Sequence, residues 1–128
     1  MSTPSSDNRP PKRTGRIAKG RRHEEKAARF YEQQGFEILE RNWQASHKEI
    51  DLIVKKADLI AFVEVKASST DSFGHPSTWI DARKKENLVQ AANQYIAEHD
   101  VSGCDLRFDA VTFVKGRLEH FPDAFAAD

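Results

Sequence analysis

The spacing of apolar positions changes period several times along the chain. From about Arg16 to Gln34, small and aromatic residues recur at helical intervals, and Gly35 closes the run, which predicts a helix with a C-terminal glycine stop. Three short runs rich in branched and aromatic residues follow, Phe36 to Trp43, Glu49 to Lys55 and Leu59 to Lys66, and read as strands. Ala67 to Thr78 holds Ser, Thr, Asp, Gly74 and Pro76 and reads as a loop. Helical spacing returns from Ile80 to about His99 through Leu88, Ala91, Ala92, Tyr95 and Ile96. Leu106 to Val114 and Leu118 to Phe121 are two further strands, split by Lys115-Gly116. No internal repeat is visible. The order α-β-β-β-α-β-β predicts an α/β fold, one central mixed sheet with flanking helices.

Length and composition bound that picture. The chain has 128 residues, enough for one domain and too few for two. Residues 1–14 are rich in Ser, Pro, Asn and charge with little to bury, so a disordered basic tail is expected there and a single domain over 15–128. Mean hydropathy is −0.70 and no long uncharged apolar run occurs, which excludes a helical membrane span. The polar, basic N-terminus does not read as a secretory signal, and a cytoplasmic location is expected. Cys104 is the single cysteine, which excludes an internal disulfide and a multi-cysteine metal site.

The formal net charge of zero conceals a division. Residues 1–22 hold seven basic side chains, Arg16, Lys19, Arg21 and Arg22 among them, against Asp7 alone, which leaves +6; the remainder has thirteen basic against nineteen acidic, which leaves −6. Such a basic arm is either a solvated tail or a contact for a polyanion such as nucleic acid.

Candidate chemistry lies in Glu49-Ile50-Asp51-Leu52-Ile53-Val54 and Ile60-Ala61-Phe62-Val63-Glu64-Val65-Lys66. If the two runs form a hairpin about Ala57-Asp58, with Lys56 opposite Leu59, then Asp51 stands across from Glu64 and Glu49 across from Lys66. Opposed Cβ atoms lie roughly 4.5–5.5 Å apart, and like charges so placed destabilise a sheet unless something sits between them. A divalent cation such as Mg²⁺, which takes carboxylate oxygens, would fill that role, and Lys66 would hold or help deprotonate the water that attacks a phosphodiester. The alternative is a solvated sheet face, with Glu49 and Lys66 as a surface ion pair and Asp51 and Glu64 in water. Two helix residues bear on the choice. Glu24 shares a stripe with Ala27, Ala28 and Tyr31 facing the sheet, whereas Glu25 pairs outward with Arg29. Lys84 shares the packing stripe of Ile80, Leu88, Ala91 and Tyr95. Either charge reaches a polar pocket, Glu24 as an additional acidic ligand and Lys84 as a phosphate contact, or snorkels past the helix rim.

At this point a family resemblance enters. Asp51, twelve residues, then Glu64-Val65-Lys66, preceded by Glu24 on a helix, resembles the PD-(D/E)XK nuclease superfamily. Glu24-x-x-Ala27, Gly35-Phe36-x-Ile38-Leu39-x-Arg41-Asn42-Trp43, Glu49-Ile50-Asp51-Leu52-Ile53, Phe62-Val63-Glu64-Val65-Lys66, Phe73-Gly74-x-Pro76 and Arg107-Phe108-Asp109 together resemble the YraN family, which is similar to archaeal Holliday junction resolvases. The resemblance implies a restriction-endonuclease-like fold. It also implies a Mg²⁺ or Mn²⁺ ion held by Asp51, Glu64, Glu24 and the Val65 carbonyl, with Lys66 as catalytic lysine and Lys84 matching the family's helix lysine. The implied activity is hydrolysis of DNA phosphodiesters, at branched or non-duplex structures, by a homodimer. His23, Lys48 and Ser68 depart from that pattern, standing where glycine, glycine and arginine are usual.

Other residues carry less. His47 and His75 flank the site and stay outside the catalytic set. Trp43 and Phe73 either stack on bases or pack. Arg107 and Asp109 are expected as an internal ion pair, and the aromatic segment from His120 to Phe125 as a surface that docks on the body or on a second subunit. Two non-catalytic functions remain beside the nuclease: a nucleic-acid-binding accessory protein that keeps the fold, and a protein-interaction scaffold.

Overall fold

The computed structural model describes residues 14–46, 48–69 and 73–126, with the side chains of the first helix described from Arg21 onward. The tail expected over residues 1–14 lies, apart from Thr14, outside the described residues, as does His47. Seven main elements follow in the expected order: α1 (Thr14–Gln33), β1 (Glu37–Gln44), β2 (Glu49–Lys56), β3 (Leu59–Ser68), α2 (Ala82–Glu98), β4 (Asp105–Val114) and β5 (Arg117–Phe121). A 3-10 turn at Pro76–Thr78 interrupts the loop before α2.

The punctuation has local causes. α1 ends because Gly35 turns left-handed at φ +95°, which lets the Phe36 N–H bond the Tyr31 carbonyl at 3.0 Å and close a glycine-capped terminus. α2 starts two residues later than its apolar spacing implies, because the Asp81 carboxylate caps it by accepting from the Lys84 N–H at 2.9 Å. Lys115 and Gly116 both take positive φ, the geometry of a tight primed turn between antiparallel strands.

The five strands form one sheet in the order β1-β2-β3-β4-β5. All neighbours are antiparallel except β3 and β4, which run parallel through ten paired residues; α2 supplies the crossover between them. Helices cover both faces. On one, Ala27, Ala28 and Tyr31 of α1 pack on Leu52, Val54, Ala61 and Val63; on the other, Leu88, Ala91 and Tyr95 of α2 pack on Ile50, Ile53, Ile60 and Phe62. Among the described residues no helix is long and apolar enough to cross a membrane.

One departure from regular alternation positions the site. Ile50 packs on the α2 side and Leu52 on the α1 side, although residues two apart in a regular strand share a face. The face changes at Asp51. The same step is taken across the pair in β1, where Arg41 stands opposite Leu52 and Trp43 opposite Ile50. Between them Asn42 adopts φ +50°, which asparagine tolerates better than most side chains. The kink therefore belongs to both strands.

Candidate active site

The hairpin register expected from the sequence is observed in part: β2 and β3 pair antiparallel with Lys56 opposite Leu59, Ile53 opposite Phe62 and Leu52 opposite Val63, but the expected pairs Asp51–Glu64 and Glu49–Lys66 are not part of the ladder. Ladder pairing stops there, at the kink. The Asp51 carboxylate then accepts a hydrogen bond from the Val65 main-chain N–H at 2.8 Å, so the side chain occupies a backbone donor that the ladder no longer uses. The group that Val65 is seen to bring to the site is thus its N–H, where a carbonyl had been expected.

Three carboxylates converge beside this bond. Glu24 from α1 and Glu49 and Asp51 from β2 each offer an oxygen, and these atoms lie within 4.8 Å of one another. Glu24 arrives as its helical stripe predicts, above the buried Ala27, Ala28 and Tyr31, and is fixed by Asn42, whose Nδ2 donates to Glu24 Oε1 at 2.6 Å. Glu25 turns outward to Arg29 at 3.9 Å and to Arg41. Arg21, Glu24, Glu25, Arg41 and Asn42 line one groove over this flank. Arg22 is exposed nearby; Arg16 and Lys19 lie on α1, within the stretch whose side chains are not described.

Electrostatics follow from this crowding. Burial raises the Asp51 pKa most, and the negative charges of Glu64 and Glu24 raise it further; the Val65 N–H and the Lys48 charge lower it, and the balance stands at about 8. Asp51 therefore holds its proton at neutral pH unless a cation compensates.

Glu64 lies outside this group of three but near enough to Asp51 for its charge to act on it. It is 9% exposed, which overturns the alternative in which it sits in water. Its Oε2 receives the Lys84 Nζ at 3.0 Å and its Oε1 faces the Lys48 Nζ at 3.6 Å. Lys84, expected as a phosphate contact, thus reaches the site from α2 but spends its charge on a carboxylate. Oε1 is buried without a hydrogen-bond partner, a costly state for a carboxylate oxygen. Lys66 was expected opposite Glu49; its Nζ lies instead 5.3 Å from the Phe73 ring centre and 5.5 Å from that of Trp79, and β2–β3 ladder pairing ends before it reaches Glu49.

Sequence reasoning missed two participants. Glu49 is expected only across from Lys66, with an ion pair as the alternative, and Asn42 only as part of a motif. Asparagine inside a strand-forming run was the available signal, since it disfavours strands and tolerates left-handed backbone. The remaining aromatic candidates divide. Trp43 packs edge-on against Tyr95, Phe73 beside Trp79 at 6.0 Å, and His75 caps the 3-10 turn by accepting from the Ser77 N–H at 3.0 Å.

A second polar cluster ties α1 to β4 and β5. Arg107 donates to both Asp109 oxygens at 2.7 and 2.9 Å, the expected internal ion pair. Tyr31 Oη donates to Asp109 at 2.8 Å, the His120 ring nitrogen lies 3.1 Å away, and the Asp123 N–H bonds at 3.0 Å. Burial alone would raise the Asp109 pKa, but these donors outweigh it and bring the group down to about 2. The C-terminal aromatic segment docks on the body: Phe125 stacks on Phe108 with ring centres 4.7 Å apart.

Known sequences resemble this chain over the same region. A family model described as "Uncharacterised protein family UPF0102" matches residues 23–113. A UPF0102 protein of Myxococcus xanthus is 38% identical over 112 residues, which cover 84% of this chain and 89% of the relative. Another, from Chloroherpeton thalassium, is 38% identical over 98 residues, 77% of this chain and 76% of its own. A third, from a Sulfurihydrogenibium species, is 36% identical over 110 residues, 86% and 96% respectively. The matched region encloses Glu24, Glu49, Asp51, Glu64, Lys66 and Lys84, and the chain belongs to the UPF0102 family.

Proposed function

We propose that the protein is a divalent-metal-dependent nuclease that hydrolyses DNA phosphodiesters. The observation that carries the reading is the convergence of Glu24, Glu49 and Asp51 within 4.8 Å beside a buried Glu64 oxygen that lacks a hydrogen-bond partner. Three carboxyl groups this close cannot all ionise freely without a cation, as the raised Asp51 pKa reflects, and carboxylate oxygens suit Mg²⁺ or Mn²⁺. Glu24, Glu49 and Asp51 would hold the ion, with Glu64 adjoining. A divalent cation there supplies polarisation of a phosphoryl oxygen and a lowered pKa for a water.

The chain's own groups divide the remaining work. The Val65 N–H fixes the orientation of the Asp51 carboxylate, and Asn42 fixes Glu24. Lys84 and Lys48 hold Glu64 and give that flank the positive charge a phosphate requires. Lys66 keeps an ammonium free of carboxylates among the described residues and presents its N–H donors to a phosphate oxygen or a water. The resemblance to PD-(D/E)XK nucleases extends the reading to branched or non-duplex DNA, and the basic arm to binding of the backbone.

The pairing of Glu64 with two lysines favours a second reading, a nucleic-acid-binding protein that has kept the fold without the chemistry. Thermal unfolding with and without Mn²⁺ decides the metal: the wild type should gain stability and Asp51→Asn should gain much less. Cleavage of duplex, single-stranded and four-way-junction DNA, with Lys66→Ala as control, separates enzyme from binder. Metal-independent unfolding of both proteins, or binding without cleavage, overturns the nuclease reading.

A further inference from the structure

We propose that Phe73 and Trp79 form an aromatic cradle that positions the Lys66 ammonium for the reaction while holding it apart from the carboxylates of the described residues, a role that rests on the nuclease reading above.

Lys66 and Glu64 lie two residues apart on one strand face, so Glu64 is the nearest natural partner for the ammonium. That carboxylate already has two ammonium neighbours, Lys84 at 3.0 Å from Oε2 and Lys48 at 3.6 Å from Oε1. Among the described residues the contacts of Lys66 Nζ are the Phe73 and Trp79 rings, at 5.3 and 5.5 Å from their centres. Both distances fall within the range of cation–π attraction. A ring face attracts the ammonium through its quadrupole but takes no proton and carries no formal charge. A carboxylate would occupy an N–H donor and neutralise the charge. The rings therefore fix the position of the group and leave its donors for a phosphate oxygen or a water.

The loop that carries the rings is built to aim them. Gly74 takes φ +71°, His75 caps the 3-10 turn, and Pro76 is buried within it. The Trp79 N–H closes the turn on the Pro76 carbonyl at 3.0 Å, and its indole Nε1 donates to the Gly74 carbonyl at 3.4 Å. Ile80 then anchors the segment in the core at 7% exposure. The indole ring also lies 5.9 Å from Lys84 Nζ. One tryptophan thus lies within cation–π range of both the lysine paired with Glu64 and the lysine left for the substrate. Base stacking, the other use of half-buried aromatics beside a nuclease site, competes with Lys66 for these rings.

The test uses the full chain with ¹³C-labelled lysine. In the wild type the Lys66 ε-methylene signals, assigned by their loss in Lys66→Ala, should lie upfield of those of lysines that face no ring; Trp79→Leu and Phe73→Leu should each move them back, and Trp79→Phe should keep most of the shift. With the substrate and metal that support wild-type cleavage, Trp79→Leu should lower kcat about tenfold and leave KM within about twofold, while Trp79→Phe restores most of kcat. In a Lys66→Ala background Trp79→Leu should have no further effect. An unshifted Lys66 signal in the wild type overturns the cradle whatever the activity. A raised KM with kcat intact, or an equal loss on top of Lys66→Ala, also overturns it and points to base stacking. A shifted signal in a wild type that cleaves no DNA overturns the nuclease reading, and with it the catalytic purpose of the cradle.

Discussion

Asp51 concentrates the physical cost of the site in one side chain. Unfolded, it ionises at about 3.8; folded, burial and its acidic neighbours hold the proton up to about 8. The folded state binds more protons across that interval, so without metal this group makes stability fall as pH rises from about 4 to about 8. Asp51→Asn should therefore raise the melting temperature at pH 8 in EDTA, yet abolish the further rise that Mn²⁺ gives the wild type. Titration calorimetry should also show metal affinity increasing with pH towards about 8, since the ion displaces a proton. Lys84 is the complementary case. Replacing it by Met removes the 3.0 Å partner of a buried carboxylate and should cost about 1–3 kcal/mol in denaturant unfolding. The strands that carry the acids and Lys66 were legible, because alternation and the two-residue turn fixed their register as far as Leu52 opposite Val63. Their partners were not: Glu49 joins Glu24 rather than Lys66 because Asp51 changes face, and alternation cannot foresee its own interruption.

Elements were easier to read than their junctions. Each predicted helix and strand is present, because long apolar runs with glycine or turn boundaries leave few other choices. The kink shared by Asn42 and Asp51 depends on contacts between strands, which a single strand's pattern does not contain. The Arg107–Asp109 pair was legible as a short-range charge pair, whereas Tyr31, His120 and the Asp123 N–H joined it from distant segments. That cluster clamps the end of α1 to β4 and β5. The Asp109 pKa is depressed from 3.8 to about 2, so the stability it supplies is present above about pH 4 and is lost as pH falls towards about 2. It amounts to about 2 kcal/mol. Acid unfolding should show this loss in the wild type and a much shallower one in Asp109→Asn, which is also less stable at pH 7. At the terminus of α1, Gly35→Ala should cost about 1 kcal/mol, because a side chain at φ +95° is strained and its Cβ would meet the Lys56 Cε at 3.3 Å.

At the scale of the whole molecule, neutrality is an average over two opposed parts. Residues 1–13 carry Arg9, Lys12 and Arg13 against Asp7. If they bind phosphates as proposed, their removal should make the slope of log affinity against log salt shallower by up to about 3 while leaving metal binding unchanged. An unchanged slope would show that the arm makes no such contact. The α/β order was legible at this scale because five strands and two helices leave few ways to cover both faces of one sheet. Which helix brings an acid and which a lysine followed from their stripes, but that the two charges flank the sheet on opposite sides emerges only from the packed layers. The topology also bears on how the chain is made. The central strand β3 is complete by residue 68, yet its parallel partner β4 begins only at Asp105. During synthesis the apolar edge from Ile60 to Val63 stays open until the last fifth of the chain emerges, so a ribosome stalled within α2 holds an aggregation-prone half-sheet.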